Sequence, residues 1–403
     1  MAMKQTQTKM FDFSDVGLDF CAGSKNLFPD RFKKMLAQGY NTQTVSSVVV
    51  TGNQVVLTYG VNHGYVADRV LKLNAPNLTG EYVIDSVTSN TVTLTIDNAP
   101  TAISGGFTTF VASLGWQLLY DQVNIQIYRM KAIDETDLFI RVVFQTNPNH
   151  RNRLGFSIGK SIDLSSGIIT DSNANQEYAS LSAPTAPFAL EIGGIASSSG
   201  NDYTYSQGFS TYGKWAVVGS PYHLVLSGKI GSGAYGNRFN AILPVFNIGY
   251  NNLNYPLIIG EISTSAISGS ANGDGQNEGG RGCAYVGKFK VALREFNGSY
   301  GNQILGVQNN AISSFLPESI DTFNTSTARS IYIFDIATGQ LLGVLVGGAY
   351  VAQCTKNNAP AKDSLPMIVQ DIDLQSKIYL CGMAGDSGEN SYFVAPIEEI
   401  KIV

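Results

Sequence analysis

The chain has 403 residues, with 26 Lys and Arg against 31 Asp and Glu for a formal net charge of −5. This balance excludes the basic field that a general nucleic-acid binder needs, and a hydrophobic share of 44% excludes general disorder. Charged residues make up only 14%, well under the usual quarter, as expected of a surface largely covered by partners.

At roughly 100–200 residues per domain, this length predicts more than one domain. The 42 glycines point to a turn-rich, mainly β chain. The expected architecture is a set of antiparallel β sandwiches or barrels with one short N-terminal helix. Residues 1–25 read as a polar, irregular arm. The opening Met-Ala-Met-Lys-Gln-Thr-Gln-Thr-Lys holds no apolar core segment, so no classical signal peptide is expected. From Leu27 the spacing predicts a helix. Pro29 suits a first turn, Phe28, Phe32, Met35 and Leu36 recur at i, i+4, i+7 and i+8, and Gly39 is a stop. Arg31, Lys33 and Lys34 fall on the other face, which predicts an amphipathic helix packed on a sheet.

A compact all-β segment follows over 44–112. Gly52-Asn53 and Ser89-Asn90 each sit between β-rich runs and predict hairpins. Val92, Leu94 and Ile96 alternate with threonines, the signature of a half-buried strand. Four to six short strands of this kind suit a small barrel or sandwich. Longer strands are expected at 117–120, 124–129 and 138–145. The stretch 165–213 reads as loop, rich in Ser, Asn, Gly and Pro. Strands resume at 215–218, 223–226 and 241–248, then at 288–295, 331–336, 341–346, 367–372 and 377–380. The expected division is an arm and helix at 1–43, a small β domain at 44–112, a central β domain at 113–250 and a C-terminal β domain at 251–403. Alternatively, 113–403 forms one sandwich unit. No repeat at a fixed period is present. The longest apolar stretch, 341–352, is too short to span a bilayer as a helix, so no membrane insertion is expected.

Four patterns carry possible chemistry. Gly385-Asp386-Ser387-Gly388 looks like the nucleophile segment of chymotrypsin-type proteases. That chemistry needs a histidine base in reach, and Glu389 stands where the oxyanion loop wants glycine. A turn before a strand explains the four residues better. Gly231-Ser232-Gly233-Ala234-Tyr235-Gly236 fits a dinucleotide fingerprint, but a strand follows it rather than a helix. Asn272, Asp274, Gln276 and Glu278 alternate as calcium donors do, without a closing bidentate acid at the right reach. Asp134, Glu135 and Asp137 could pair as glycosidase carboxylates, yet one tight turn holds all three and a solvated tip is expected. His63, His150 and His223 lie in unrelated segments and are expected to be structural or exposed. Cys21, Cys283, Cys354 and Cys381 show no Cys-x-x-Cys spacing, and a Cys354–Cys381 bridge stays open. No cofactor, metal or enzymatic activity is expected.

The order of elements over about the first 130 residues resembles a family of tailed-bacteriophage virion proteins. The resemblance rests on the helix at 28–36, then Gly39-Tyr40-Asn41-Thr42 and Ser47-Val-Val-Val-Thr-Gly-Asn-Gln-Val-Val-Leu57. It continues through His63-Gly64-Tyr65, Leu78-Thr79-Gly80-Glu81-Tyr82 and Val87-Thr-Ser-Asn-Thr-Val92, and closes before Gly115-Trp116. It implies a small β domain inserted between the helix and a Gly-Trp strand. It also implies a structural subunit of the virion tail, at the tip or baseplate, made in the host bacterial cytoplasm. Its implied partners are other tail proteins and further copies of itself in a symmetric ring. Phe28, Arg31, Phe32, Lys33, Met35 and Leu36 are then the candidate assembly-interface residues. The alternatives are a capsid decoration protein, a tail fibre or tip module that binds a host-surface glycan or receptor through loops between 165 and 300, and an enzyme.

Overall fold

The computed structural model describes residues 8–24, 26–122, 124–146, 153–174, 189–192, 203–229, 237–250, 254–260, 283–294, 328–354, 368–370, 377–382 and 390–397. The chain is mainly β, built of antiparallel sheets with two helices. It opens with β1 (Lys9–Asp12), α1 (Phe28–Lys33) and a π-helical turn at Lys34–Gln38. Six strands follow: β2 (Tyr40–Thr51), β3 (Gln54–Tyr59), β4 (Val70–Ala75), β5 (Leu78–Val87), β6 (Thr91–Thr95) and β7 (Thr108–Val111). Next come β8 (Gln117–Gln122), β9 (Ile125–Lys131), β10 (Asp137–Phe144), β11 (Arg153–Gly159), β12 (Ile162–Asp163), β13 (Ile168–Ile169) and β14 (Ala189–Glu191). After α2 (Tyr205–Tyr212) run β15 (Trp215–Ser220), β16 (His223–Lys229), β17 (Asn237–Leu243), β18 (Val245–Asn247), β19 (Leu257–Gly260), β20 (Cys283–Val286) and β21 (Phe289–Arg294). The rest is β22 (Ala328–Arg329), β23 (Tyr332–Asp335), β24 (Leu341–Leu345), β25 (Tyr350–Cys354), β26 (Ile368–Gln370), β27 (Lys377–Gly382) and β28 (Asn390–Pro396).

The arm is the first correction. Residues 8–24 are not a free polar tail. β1 pairs antiparallel with β15, from Lys9↔Gly219 to Asp12↔Ala216, and forms one edge of a ten-stranded sheet. Polar residues at 1–9 hide the pattern that follows: Met10, Phe11, Phe13, Leu18 and Phe20 are fully buried. Phe13 stacks on Phe20, and edge-to-face contacts continue from Phe20 to Phe28, Phe32 and Phe144. An aromatic ladder thus runs from the arm through α1 into β10.

The small β domain is a closed barrel in the order β2-β3-β6-β5-β4-β7. Every second residue points inward, so Val55, Leu57 and Tyr59 on β3 and Val92 and Leu94 on β6 fill its interior. Tyr40 pairs with Val111, which brings entry and exit together. On exit, Leu114 N–H donates to Met35 O at 2.9 Å and Trp116 N–H to Leu36 O at 3.0 Å. The barrel is therefore an insertion between the π-turn and the Gly115-Trp116 strand. Gly39 turns the chain into it at φ +80°, where a Cβ would lie 2.5 Å from Val111 O.

The body has three larger sheets. One runs β14-β11-β10-β9-β8, one is the ten-stranded sheet β1-β15-β16-β17-β19-β20-β21-β23-β24-β18, and one runs β22-β25-β28-β27-β26. The ten-stranded sheet continues through residue 250, because β17 pairs with β19 and β18 with β24. One of its faces joins the core shared with the arm, the barrel and the first sheet, through Val217, Leu226, Ile242 and Tyr285. The other joins a second core with the C-terminal strands, where Phe239 stacks on Phe393. The loop expected over 165–213 contains α2. Thr204 N–H donates to Gln207 Oε1 and Tyr205 N–H to Asp19 Oδ1, so the helix is capped both locally and from the arm. Cys354 pairs with Asn390 and Cys381 with Phe393, on strands separated by β28. Their Cα atoms are then roughly 14 Å apart, beyond the reach of a disulfide.

Candidate functional site

The 385–388, 231–236 and 272–278 motifs and His150 lie outside the described residues. Among the described residues, no group of three or more His, Cys, Asp or Glu is placed to hold a metal ion. One nucleophile–base pair does come together. Ser220 Oγ accepts from Tyr222 N–H at 3.1 Å and shares a hydrogen bond with His223 Nδ1 at 2.7 Å. Both side chains are buried in the β15–β16 turn, and His223 Nε2 meets no acid that could orient the ring. The pair fixes a turn and has no route to a substrate.

Burial depresses the His223 pKa to about 4 from an ordinary 6.5. The unfolded chain protonates this ring near pH 6.5 and the folded chain only near 4. The stability it contributes is complete above pH 6.5 and is lost as pH falls towards 4, about 3 kcal/mol in all. Denaturant titrations across pH 4–7 should show this slope, and His223→Gln should flatten it. An unchanged slope would overturn the assignment. His63 titrates in the same sense, since burial lowers its pKa. Its Nδ1 accepts from Tyr65 N–H at 2.9 Å and its Nε2 lies 3.1 Å from Thr91 O, so it is a structural residue of the barrel.

The acidic turn expected to be solvated is docked instead. Asn254 donates to Asp134 Oδ2, Tyr222 to Glu135, and Lys131 and Arg129 pair with Asp137. Between this turn, Val245 and Tyr255 lies a cavity of about 10 Å³, room for one water molecule and too small for a sugar.

The candidate interface residues on α1 and its π-turn face inward. Phe28, Phe32, Met35 and Leu36 are buried in the chain's own core. Arg31 pairs with Asp30 and donates to Leu18 O, and Lys33 pairs with Asp121 at 2.8 Å. The four apolar residues are therefore corrected from partner contacts to core residues. The helix is held between the arm and β8–β10, which leaves its apolar stripe no free side.

The most concentrated polar chemistry sits where the arm meets the barrel. Arg69, between β-rich residues at the start of β4, grips Asp15 with Nε–Oδ2 at 2.7 Å and Nη2–Oδ1 at 2.9 Å. Tyr40 donates to Asp15 Oδ2 at 2.7 Å. Burial opposes the Arg69 charge, but Asp15 outweighs it and holds the guanidinium pKa above its ordinary value. Burial, then the Asp15 charge, pushes the Tyr40 phenol well up. Nearby, Lys9 bridges to Glu81 on β5 at 2.7 Å and donates to Ser113 O, while burial lowers its pKa. One buried cation–carboxylate pair, Arg69 with Asp15, and one between buried Lys9 and exposed Glu81 thus fasten the barrel to the arm. Sequence reading missed this set: in Val66-Ala67-Asp68-Arg69-Val70-Leu71 the adjacent Asp68 offers a local partner, and only the packed structure shows that Arg69 pairs with Asp15.

Asp12 accepts from Ser14 N–H at 2.8 Å, and burial followed by the Asp15 charge raises its pKa. Ionising Asp12 therefore opposes folding as pH rises above its unfolded value of 3.8. Asp12→Asn keeps the acceptor and removes the charge. It should raise the melting temperature at pH 7 and leave it unchanged at pH 3. A lower value at pH 7 would count against this reading.

Compared with known protein families and with characterised proteins, the chain matches none. Among the described residues, no helix is long and apolar enough to cross a membrane.

Proposed function

We propose that this chain is a structural subunit of a tailed-bacteriophage particle, seated in the tail tip or baseplate and contacting other tail proteins and copies of itself. The observation that carries this reading is the barrel at 40–111, a closed unit inserted between a helix and a Gly-Trp strand. That is the element order on which the resemblance rests. The low charged fraction of 14% supports it, because such a surface suits contact more than solvent. So does the use of polar residues to fasten elements together, as Asp15 does with Arg69 and Asp134 with Asn254.

The test is a tagged copy on purified particles, labelled with gold and viewed by negative stain. Gold confined to the tail end is expected, at a fixed copy number by quantitative mass spectrometry. Label on the head would move the subunit to capsid decoration. Absence of the chain from purified particles would overturn the virion reading.

A further inference from the structure

A guanidinium carries N–H donors on three nitrogens held in one rigid plane. At the arm–barrel junction Arg69 commits two of those nitrogens to Asp15, Nε to Oδ2 at 2.7 Å and Nη2 to Oδ1 at 2.9 Å. That grip turns the third nitrogen, Nη1, away from the carboxylate. Among the described residues the buried Nη1 meets no acceptor, and the Arg69 side chain is only 5% exposed. A charged donor in such a place has left its hydration behind and requires an acceptor in exchange.

Asp12 on β1 offers the complementary group. Its Oδ1 accepts from Ser14 N–H at 2.8 Å and from Ser14 Oγ–H at 2.6 Å. Among the described residues Oδ2 takes no hydrogen bond. Arg69 and Asp12 are near enough for each charge to act on the other, yet the guanidinium pairs directly with Asp15 alone. A donor and an acceptor that face each other across such a gap are joined by a bridging molecule.

The chemistry of the cluster selects that molecule. Two carboxylates already face one guanidinium, so an anion at Nη1 would be repelled by both acids. The positive Nη1 turns away a cation. The ligand must be neutral, accept from Nη1 and donate to Oδ2. Asp12, Asp15, Tyr40 and Arg69 are each between 4% and 5% exposed, which closes the site to anything larger than water. We propose that the arm–barrel junction encloses one ordered water molecule, which accepts from Arg69 Nη1 and donates to Asp12 Oδ2. The Tyr40 oxygen donates its own proton to Asp15 Oδ2 and keeps a lone pair for the second water proton. Arg69 then ties the barrel to the arm twice, directly through Asp15 and through water to Asp12. This site depends on the junction alone and does not rest on the virion reading.

A high-resolution crystal structure of the full chain tests it, with Asp12→Asn and Asp12→Leu as variants. The wild type should show one water peak within about 2.7–3.2 Å of both Nη1 and Oδ2. Asp12→Asn keeps an oxygen acceptor and should keep the peak. Asp12→Leu has similar volume without an acceptor and should lose it. In solution, magnetic relaxation dispersion should then count one long-lived water fewer in Asp12→Leu than in the wild type. If a variant fails to fold, the wild-type map decides by itself. A well-defined guanidinium with no water at Nη1 would overturn the proposal, as would a direct bond from Nη1 to a protein atom. A peak that persists in folded Asp12→Leu would overturn it as well.

Discussion

Deleting residues 1–24 should leave a chain that does not fold. The segment contributes a sheet edge through β1 and five large side chains at 0% exposure, Met10, Phe11, Phe13, Leu18 and Phe20. Truncating one such side chain costs about 2–5 kcal/mol. A natural domain holds a net stability of about 5–15 kcal/mol. Losing all five together, with the ladder bonds of β1, exceeds that margin. The deletion also removes Asp19, which caps α2, and Asp15, which leaves Arg69 buried without its carboxylate. A graded version is Phe13→Ala, expected to cost about 3–5 kcal/mol in denaturant titration. A chain of residues 25–403 that melts cooperatively at the full-length temperature would show that the arm is dispensable.

The second large effect lies at the arm–barrel junction. Asp15→Ala and Arg69→Met, made singly, should each cost about 3–5 kcal/mol, because each leaves a buried charge without its partner. The double substitution Asp15→Leu with Arg69→Met should recover much of that loss, since an apolar pair of similar volume avoids the desolvation penalty. Tyr40→Phe, which removes one hydrogen bond to Asp15, should cost about 1–2 kcal/mol. A double-mutant cycle in denaturant measures the coupling. Single substitutions costing under about 1 kcal/mol, the range of exposed pairs, would mean that water reaches the junction.

What the sequence made legible follows the range of the interactions involved. The hairpins at Gly52-Asn53 and Ser89-Asn90 are local turn chemistry and appear where they were expected, as β2–β3 and β5–β6. The helix at 28–36 declared itself by spacing, though it widens into a π-turn from Lys34 and runs on to Gln38. β1 stayed hidden because four residues paired with a strand two hundred positions away leave no periodic trace. α2 was passed over because Tyr-Ser-Gln-Gly-Phe-Ser-Thr-Tyr is poor in helix formers, although Thr204 and Gln207 stand at capping-box spacing. At the candidate site, Asp15 and Arg69 lie 54 residues apart, and only the packed structure shows which acid meets which base. The same holds for the Asp134–Asp137 turn, whose partners Tyr222 and Asn254 come from the neighbouring sheet.

The pairing of β1 with β15 also orders events in time. Lys9 meets Gly219, so β1 waits during synthesis for a partner 210 positions behind it. At about 5–20 residues per second, that wait is roughly 10–40 s. The barrel needs only residues 40–111 to close and can be complete well before then. During the interval Phe11 and Phe13 have only the nearby aromatic residues, Tyr40 and Phe20, to pack on, and Met10 lacks the strands of the second core. Nascent chains halted between residues 112 and 215 should expose Met10 to a chaperone, and chains halted well beyond 229 should bury it. Slower translation through the central segment should then lengthen the exposure of Met10 and raise the share of chains that aggregate.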